Sequence, residues 1–279
     1  MTTRDNTFNV ELSRRRLLAA AGLGVGAMVA PPIIGTAEAQ PLPHRPSDPV
    51  KTPPVAGLHL QFGADASADM VVSWHTLQPI GQPRVLLGRL DGKLEQTVEA
   101  RTTSYTDAKS GQVVFAHHAK LAGLRADSAY IYGALHDGAE PEFGTFRTAP
   151  RGRAPFTFTS FGDQGTPTLG RKFVPPAGLT LPNPVFVNDN LGSPAAGDTT
   201  LGVERLRPLF HLLNGDLCYA NIAEDRVRTW WDFWENTSRS ARNRPWMPAA
   251  GNHENELGRS AIRPTRHTSR CRRRRVKRT

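Results

Sequence analysis

Short runs of alternating apolar and polar residues recur between residues 55 and 150, and no other feature limits the possible folds as strongly. They include Leu58-His59-Leu60-Gln61-Phe62, Met70-Val71-Val72-Ser73-Trp74, Arg84-Val85-Leu86-Leu87, Gln112-Val113-Val114-Phe115-Ala116, Tyr130-Ile131-Tyr132-Gly133 and Glu142-Phe143-Gly144-Thr145-Phe146. Turn formers stand between them: Gly81, Asp91-Gly92, Ser110-Gly111 and Asp137-Gly138. A period of two sorts side chains onto two faces, and the apolar face of so short a strand is buried only against a second layer. Several such strands in about 95 residues predict a β-sandwich. Neighbours on a strand point to opposite faces, so His117-His118 are expected to be surface or packing histidines rather than to share a metal. The segment shows no nucleophile or metal cluster and reads as a spacer or recognition module.

The residues ahead of it carry an export signal. Ser13-Arg14-Arg15-Arg16-Leu17-Leu18 fits the twin-arginine pattern, residues 17–34 are mildly apolar, and Ala37-Glu38-Ala39 is a small-residue cleavage site. Basic region, apolar region and cleavage site stand in the order of a signal peptide. Gly22, Gly24, Gly26, Pro31 and Pro32 interrupt the apolar stretch and argue against a permanent membrane span. Residues 1–39 are therefore assigned to a signal peptide read by the twin-arginine export machinery. The expected location is the periplasm, the cell wall or the medium. Residues 40–54 hold six prolines and read as an extended linker.

Residues 155–258 follow another plan. Phe156-Thr157-Phe158-Thr159-Ser160-Phe161 runs into Gly162-Asp163-Gln164-Gly165. Leu209-Phe210-His211-Leu212-Leu213 ends in Asn214-Gly215-Asp216-Leu217-Cys218-Tyr219. Trp246-Met247-Pro248-Ala249-Ala250 ends in Gly251-Asn252-His253-Glu254. Three strand patterns each deliver polar side chains just past their C-terminal ends, which in an α/β fold line one edge of the sheet. Residues 225–234 have helical character, with Val227, Trp230, Trp231 and Trp234 expected in the core. Asp163 and Asp216 offer hard oxygens, Asn252 a carbonyl oxygen and His253 an imidazole. Two cations about 3.5–4 Å apart that share a carboxylate activate hydroxide and bind phosphate oxygens together. An Asp in a Gly-rich turn is ordinarily only a turn residue, so the signal lies in all three motifs occurring in order.

These residues carry a resemblance. Asp163-x-Gly165, Gly215-Asp216-x-x-Tyr219 and Gly251-Asn252-His253-Glu254 resemble the first three motifs of the purple acid phosphatases, in the metallophosphoesterase superfamily. Leu121-Ala122-Gly123-Leu124, followed by Tyr130, resembles the tyrosine corner of fibronectin type III domains, and a fibronectin-like domain precedes the catalytic one in that family. The resemblance implies a β-sandwich at 55–150 followed by an incomplete α/β metallophosphoesterase domain at 155–258, the first half of an α/β/β/α sandwich. It implies that Asp163 and Tyr219 ligate Fe(3+), that Asp216 bridges, and that Asn252 holds a second divalent ion (Fe, Zn or Mn). His253 would contact the phosphate or protonate the leaving alkoxide, with Asn252 beside it at the substrate. The implied reaction is hydrolysis of a phosphate monoester at acid pH.

Two features depart from that pattern. The family continues with V-x-x-H and G-H-x-H, and neither follows the third motif here. Residues 259–279 hold ten of the 35 Lys and Arg and none of the 25 Asp and Glu, so residues 1–258 balance at 25 basic against 25 acidic groups. The net charge of +10 thus belongs to a basic tail, whereas a nucleic-acid-binding fold spreads its charge over a folded face. No specific nucleic acid is expected as a partner. The tail reads as a disordered peptide, of the kind a frameshift gives in a GC-rich gene. Cys218 is the one thiol before the tail, so no internal disulfide is expected. The chain then reads as an exported phosphatase of little or no activity by itself. The alternative is a non-catalytic exported sandwich protein with a degenerate metal domain and a polyanion-binding arm.

Overall fold

The computed structural model describes residues 52–90, 93–167, 194–223 and 225–254. Arg14, Arg15, Ala37 and Ala39 of the signal, and the tail at 259–279, lie outside the described residues.

The first seven strands are β1 (Ala56–Phe62), β2 (Met70–Thr76), β3 (Arg84–Arg89), β4 (Leu94–Thr106), β5 (Val113–Leu121), β6 (Ala129–Leu135) and β7 (Glu142–Arg147). They pair antiparallel in the order β1-β2-β5-β4-β3-β6-β7. Strand β4 makes this ribbon a sandwich. Its first half pairs with β3 and its second half, from Ala100, with β5. The two halves of the ribbon close on one core of Leu58, Leu60, Val72, Trp74, Val85, Leu87, Tyr132 and Phe146. The alternating runs predicted the other six strands but not β4. Its sequence is polar, and only Leu94 in it is buried. What fixes it as a strand is a ladder of backbone bonds on each side, not its own hydrophobic period.

The tyrosine corner is formed. The backbone N–H of Arg125 donates to the Tyr130 hydroxyl at 2.8 Å, which satisfies a buried phenol and pins the turn before β6. His117 is fully buried, with Thr76 Oγ1 3.0 Å from Nε2 and Thr102 Oγ1 2.9 Å from Nδ1. Its partner contact is a packing one, as the sequence predicts.

The second part is a parallel sheet in the order β10-β9-β8, from β8 (Phe158–Phe161), β9 (Phe210–Leu213) and β10 (Trp246–Pro248). Helix α1 (Pro194–Glu204) precedes β9, and α2 (Arg226–Ala241) lies between β9 and β10. Asp225 caps α2, accepting the Arg228 N–H at 2.9 Å, which satisfies one of the orphan donors of the first turn. Among the described residues no helix is long and apolar enough to cross a membrane.

Both faces of α2 are covered. Phe233 and Ala241 join Leu213, Leu217, Cys218 and Trp246 in a second core. On the other side Trp234 stacks on His59 at 3.9 Å and Trp231 meets His75 edge-on at 4.5 Å. Trp230 and Trp234 both pack against the second core, and Trp231 and Trp234 reach across to join the two parts. Polar contacts complete that seam. Ser238 Oγ donates to the Leu58 carbonyl at 2.8 Å, Tyr132 Oη to the Arg242 carbonyl at 2.8 Å, and the Gly57 N–H to Glu235 Oε1 at 2.6 Å. The sandwich is no detached spacer, because its first strand is buried between its own core and the helix of the next domain.

A buried polar network holds the second part from inside. Glu204 accepts from Arg244 Nε at 2.7 Å and from Ser240, and its Oε1 lies 3.0 Å from His211 Nε2. Trp246 Nε1 donates to Ser240 Oγ at 2.8 Å. Burial alone raises the Glu204 carboxyl, but the hydrogen bonds from His211, Ser240 and Arg244 outweigh it and hold the group at about 2.

Candidate metal centre

The three strand ends meet as the sequence predicts. Each parallel strand feeds a loop at the same sheet edge, and backbone bonds join these loops in sequence. Asp163 N donates to the Gly215 carbonyl at 3.2 Å, Gly165 N to Leu217 O at 2.9 Å, and Ala249 N to Leu213 O at 2.8 Å. Gly215 and Gly251 let the second and third loops touch. A Cβ on Gly215 would lie 2.5 Å from the Gly251 backbone, and one on Gly251 would lie 2.2 Å from Asp216 Oδ1. The sequence suggests that these glycines clear space for ions. In the structure they clear space for each other and for the Asp216 carboxylate.

Asp163, Asp216 and Tyr219 all adopt left-handed backbone, with φ of 53°, 51° and 58°. Such angles are uncommon outside Gly, least of all expected for a bulky Tyr, and each costs of order 1–3 kcal/mol. Three together at one edge indicate a local arrangement maintained by its surroundings. Tyr219 Oη donates to Asp163 Oδ1, so the two groups assigned to one cation are already in contact. Asp216 Oδ1 accepts the backbone N–H of His253 at 2.9 Å. The His253 ring lies against Tyr219, with centroids 4.5 Å apart, and its Nδ1 is 3.1 Å from Asn221 Oδ1. An amide oxygen only accepts, so that contact places the proton of the neutral ring on Nδ1. Asn252 is exposed.

The donor set is rich in oxygen: Asp163, Asp216, Tyr219 and Asn252. That chemistry suits a hard cation. Among the described residues no group of three or more His, Cys, Asp and Glu gathers as a metal cage. These residues therefore fit the oxygen-bearing side of a metal centre and do not complete a second, imidazole-bearing site. Cys218 lies between Asp216 and Tyr219 but is fully buried, and burial pushes its thiol well up. It is an inert core residue.

Two residues near the site had no sequence assignment. Asn221 follows Tyr219 on a short 3-10 turn (Ala220–Ile222) and reaches His253 from there. Glu254 stood in the third motif without a role. Its carboxylate accepts from Asp216 N at 2.8 Å, Leu217 N at 2.8 Å and Gly251 N at 2.6 Å. The only signal for Glu254 was its place in the third motif, and Asn221, two residues past the second motif, carried none.

Residues 55–148 match the family model "Purple acid Phosphatase, N-terminal domain". This segment is a purple acid phosphatase N-terminal domain. An uncharacterized protein of Mycobacterium tuberculosis is 52% identical over 261 residues, covering 90% of this chain and 46% of that protein. Purple acid phosphatase 5 of Arabidopsis thaliana is 30% identical over 222 residues, covering 75% of this chain and 48% of that protein. A solved purple acid phosphatase from yellow lupin seeds superposes with a TM-score of 0.55 at 19% identity, covering 73% of this chain and 36% of that one. The match to the lupin protein extends the shared fold beyond the N-terminal domain into the parallel sheet. The chain spans about half the length of the curated relatives it matches.

Proposed function

We propose that residues 155–254 carry the oxygen-ligand half of a phosphate-monoester hydrolase centre, in an exported purple acid phosphatase relative. The observation that carries this reading is the convergence of Asp163, Asp216 and Tyr219, each in left-handed backbone, on one sheet edge. Asp163 and Tyr219 would hold Fe(3+), Asp216 would bridge, and Asn252 would take a divalent Fe, Zn or Mn ion. When bound, such a pair supplies a hydroxide nucleophile and charge to bind phosphate. The chain's own residues orient the substrate. Asn221 would orient the His253 ring through Nδ1–H, and the imidazolium form, with a proton on each ring nitrogen, would contact a phosphate oxygen or protonate the leaving alkoxide through Nε2. The second ion would have only Asn252 and the shared Asp216, so the 279-residue chain by itself should turn over slowly or not at all. Export by the twin-arginine route belongs to the same proposal and rests on Arg14, Arg15, Ala37 and Ala39 alone.

The test is to load the purified chain with ferric iron and zinc and to measure both colour and turnover of an aryl phosphate. A visible phenolate-to-iron band that Tyr219→Phe abolishes supports the ligand reading, and its absence in the parent chain contradicts it. Turnover above about 1 per second, within the ordinary enzyme range, and lost in Asp216→Ala would show that the centre is complete without further histidines.

A further inference from the structure

We propose that Glu254 is a positioning residue that clamps the second and third motif loops together and holds Asp216 in its left-handed conformation. Its two carboxylate oxygens accept three backbone N–H groups from two loops: Oε2 takes Asp216 N and Gly251 N, and Oε1 takes Leu217 N. The return contact runs the other way, from His253 N to Asp216 Oδ1 at 2.9 Å. Each loop thus supplies a carboxylate to the backbone of the other, the reciprocal logic of a capping box, here joining the ends of β9 and β10.

The chemistry of the clamp demands a carboxylate. Three convergent N–H donors need acceptors only, and an ionised carboxylate has two oxygens with about four lone-pair sites and no donor to oppose them. Hydrogen bonds to a charged acceptor are also about twice as strong as neutral ones. A Gln would offer one oxygen and turn an NH2 toward a backbone N–H. The clamp acts where space is least: Asp216 Oδ1 stands against Gly251 with no room for a Cβ. Releasing Glu254 would free the Asp216 backbone to leave φ 51° and carry its carboxylate off the shared position. The consequence for metal binding rests on the proposed role of Asp216 as a ligand, whereas the clamp itself does not.

Amide hydrogen exchange on the metal-free full chain tests the clamp directly. Glu254→Gln and Glu254→Ala should speed exchange at 216, 217 and 251 at least tenfold, about the effect of losing one charge-assisted hydrogen bond. Amides of Val72 and Ala119 in the sandwich should not change. Glu254→Asp, which keeps the charge on a shorter arm, should recover part of the protection. Unchanged exchange at all three positions in both Gln and Ala variants overturns the proposal. So does loss that spreads to the sandwich in every variant, Asp included, since Glu254 would then be a general stability residue. Titration with Mn2+ alone, read by electron paramagnetic resonance, addresses the ligand. Affinity should fall at least tenfold in Glu254→Gln, and Asp216→Asn should abolish binding while leaving the amide of 251 protected. A parent chain that binds no Mn2+ refutes the reading of Asp216 as a ligand, and the exchange data still decide the clamp. Mn2+ affinity unchanged in Glu254→Gln despite loss of the amide protection overturns the positioning role.

Discussion

Lowering the pH from 7 to 5 should destabilise this protein through the two histidines at its domain seam. His59 and His75 are each 8% exposed. Burial pushes the His59 imidazole down to about 4, with the Gly57 carbonyl opposing and His118 adding to the fall. Burial likewise takes His75 to about 3, with repulsion from His59 and His117 adding to it. The unfolded chain takes up these protons near pH 6.5, the folded chain only near 4 and 3. Between those values the unfolded state binds more protons, so stability is full above pH 6.5 and falls as the pH drops. From pH 7 to 5 the loss is roughly 2 kcal/mol for each imidazole, or roughly 4 for the pair. His117, lowered to about 4 mainly by burial, adds roughly 2 more by the same arithmetic. Domains are commonly stable by only about 5–15 kcal/mol, so the effect is large. The carboxyls of Asp65, Asp107 and Glu204 are all lowered and lie below this window.

The assay is urea unfolding followed by tryptophan fluorescence, since Trp231 and Trp234 lie on the seam itself. With a slope of about 2 kcal/mol per molar urea, the midpoint should fall by about 3 M between pH 7 and 5. His75→Phe separates one contribution. It keeps an aromatic ring against Trp231 and deletes Nε2, a buried atom without a hydrogen-bond partner. The variant should be no less stable at pH 7 and should lose roughly 2 kcal/mol less on acidification. A parent chain whose midpoint is flat from pH 7 to 5, or a variant with the parent's full slope, would refute the reasoning. If the midpoint falls as expected, the proposed acid phosphatase chemistry works in a medium that strains its own fold, so turnover should be sought at pH 7 as well as pH 5.

Three further outcomes follow from the same contacts. Trp234→Ala removes the stack on His59 and should cost about 2–4 kcal/mol by urea unfolding, reduced from the fully buried case because Trp234 is only half-buried. Tyr130→Phe leaves the Arg125 N–H without its acceptor and should cost about 1–2 kcal/mol, with the β-sheet circular dichroism unchanged. Glu204→Ala leaves His211, Ser240 and Arg244 without their shared carboxylate and should cost roughly 2–4 kcal/mol at pH 7. It should also remove the part of acid sensitivity that the parent shows as the pH falls from 4.5 toward 2, since a lowered carboxyl loses its stabilisation in that window.

The features legible in the sequence were local ones. A period of two in 58–62, 70–74 and 130–133 marks a strand because the pleat alternates faces within a few residues. The Asp163, Asp216 and Asn252 motifs were legible for a similar reason. A strand followed at once by Gly and a polar ligand puts that ligand at the strand's C-terminal end, and parallel pairing gathers such ends at one edge. Tertiary structure decided what depends on partners far along the chain. Strand β4 is polar and became a strand only because β3 and β5 flank it. His59 meets Trp234, and Glu254 meets the backbone of Asp216, across separations that carry no periodic signal. A histidine's own position shows neither what buries it nor how far its pKa falls. Glu254 reads in sequence as one more acidic residue after a turn, and its role exists only where β9 and β10 lie side by side and point three N–H groups at a single carboxylate.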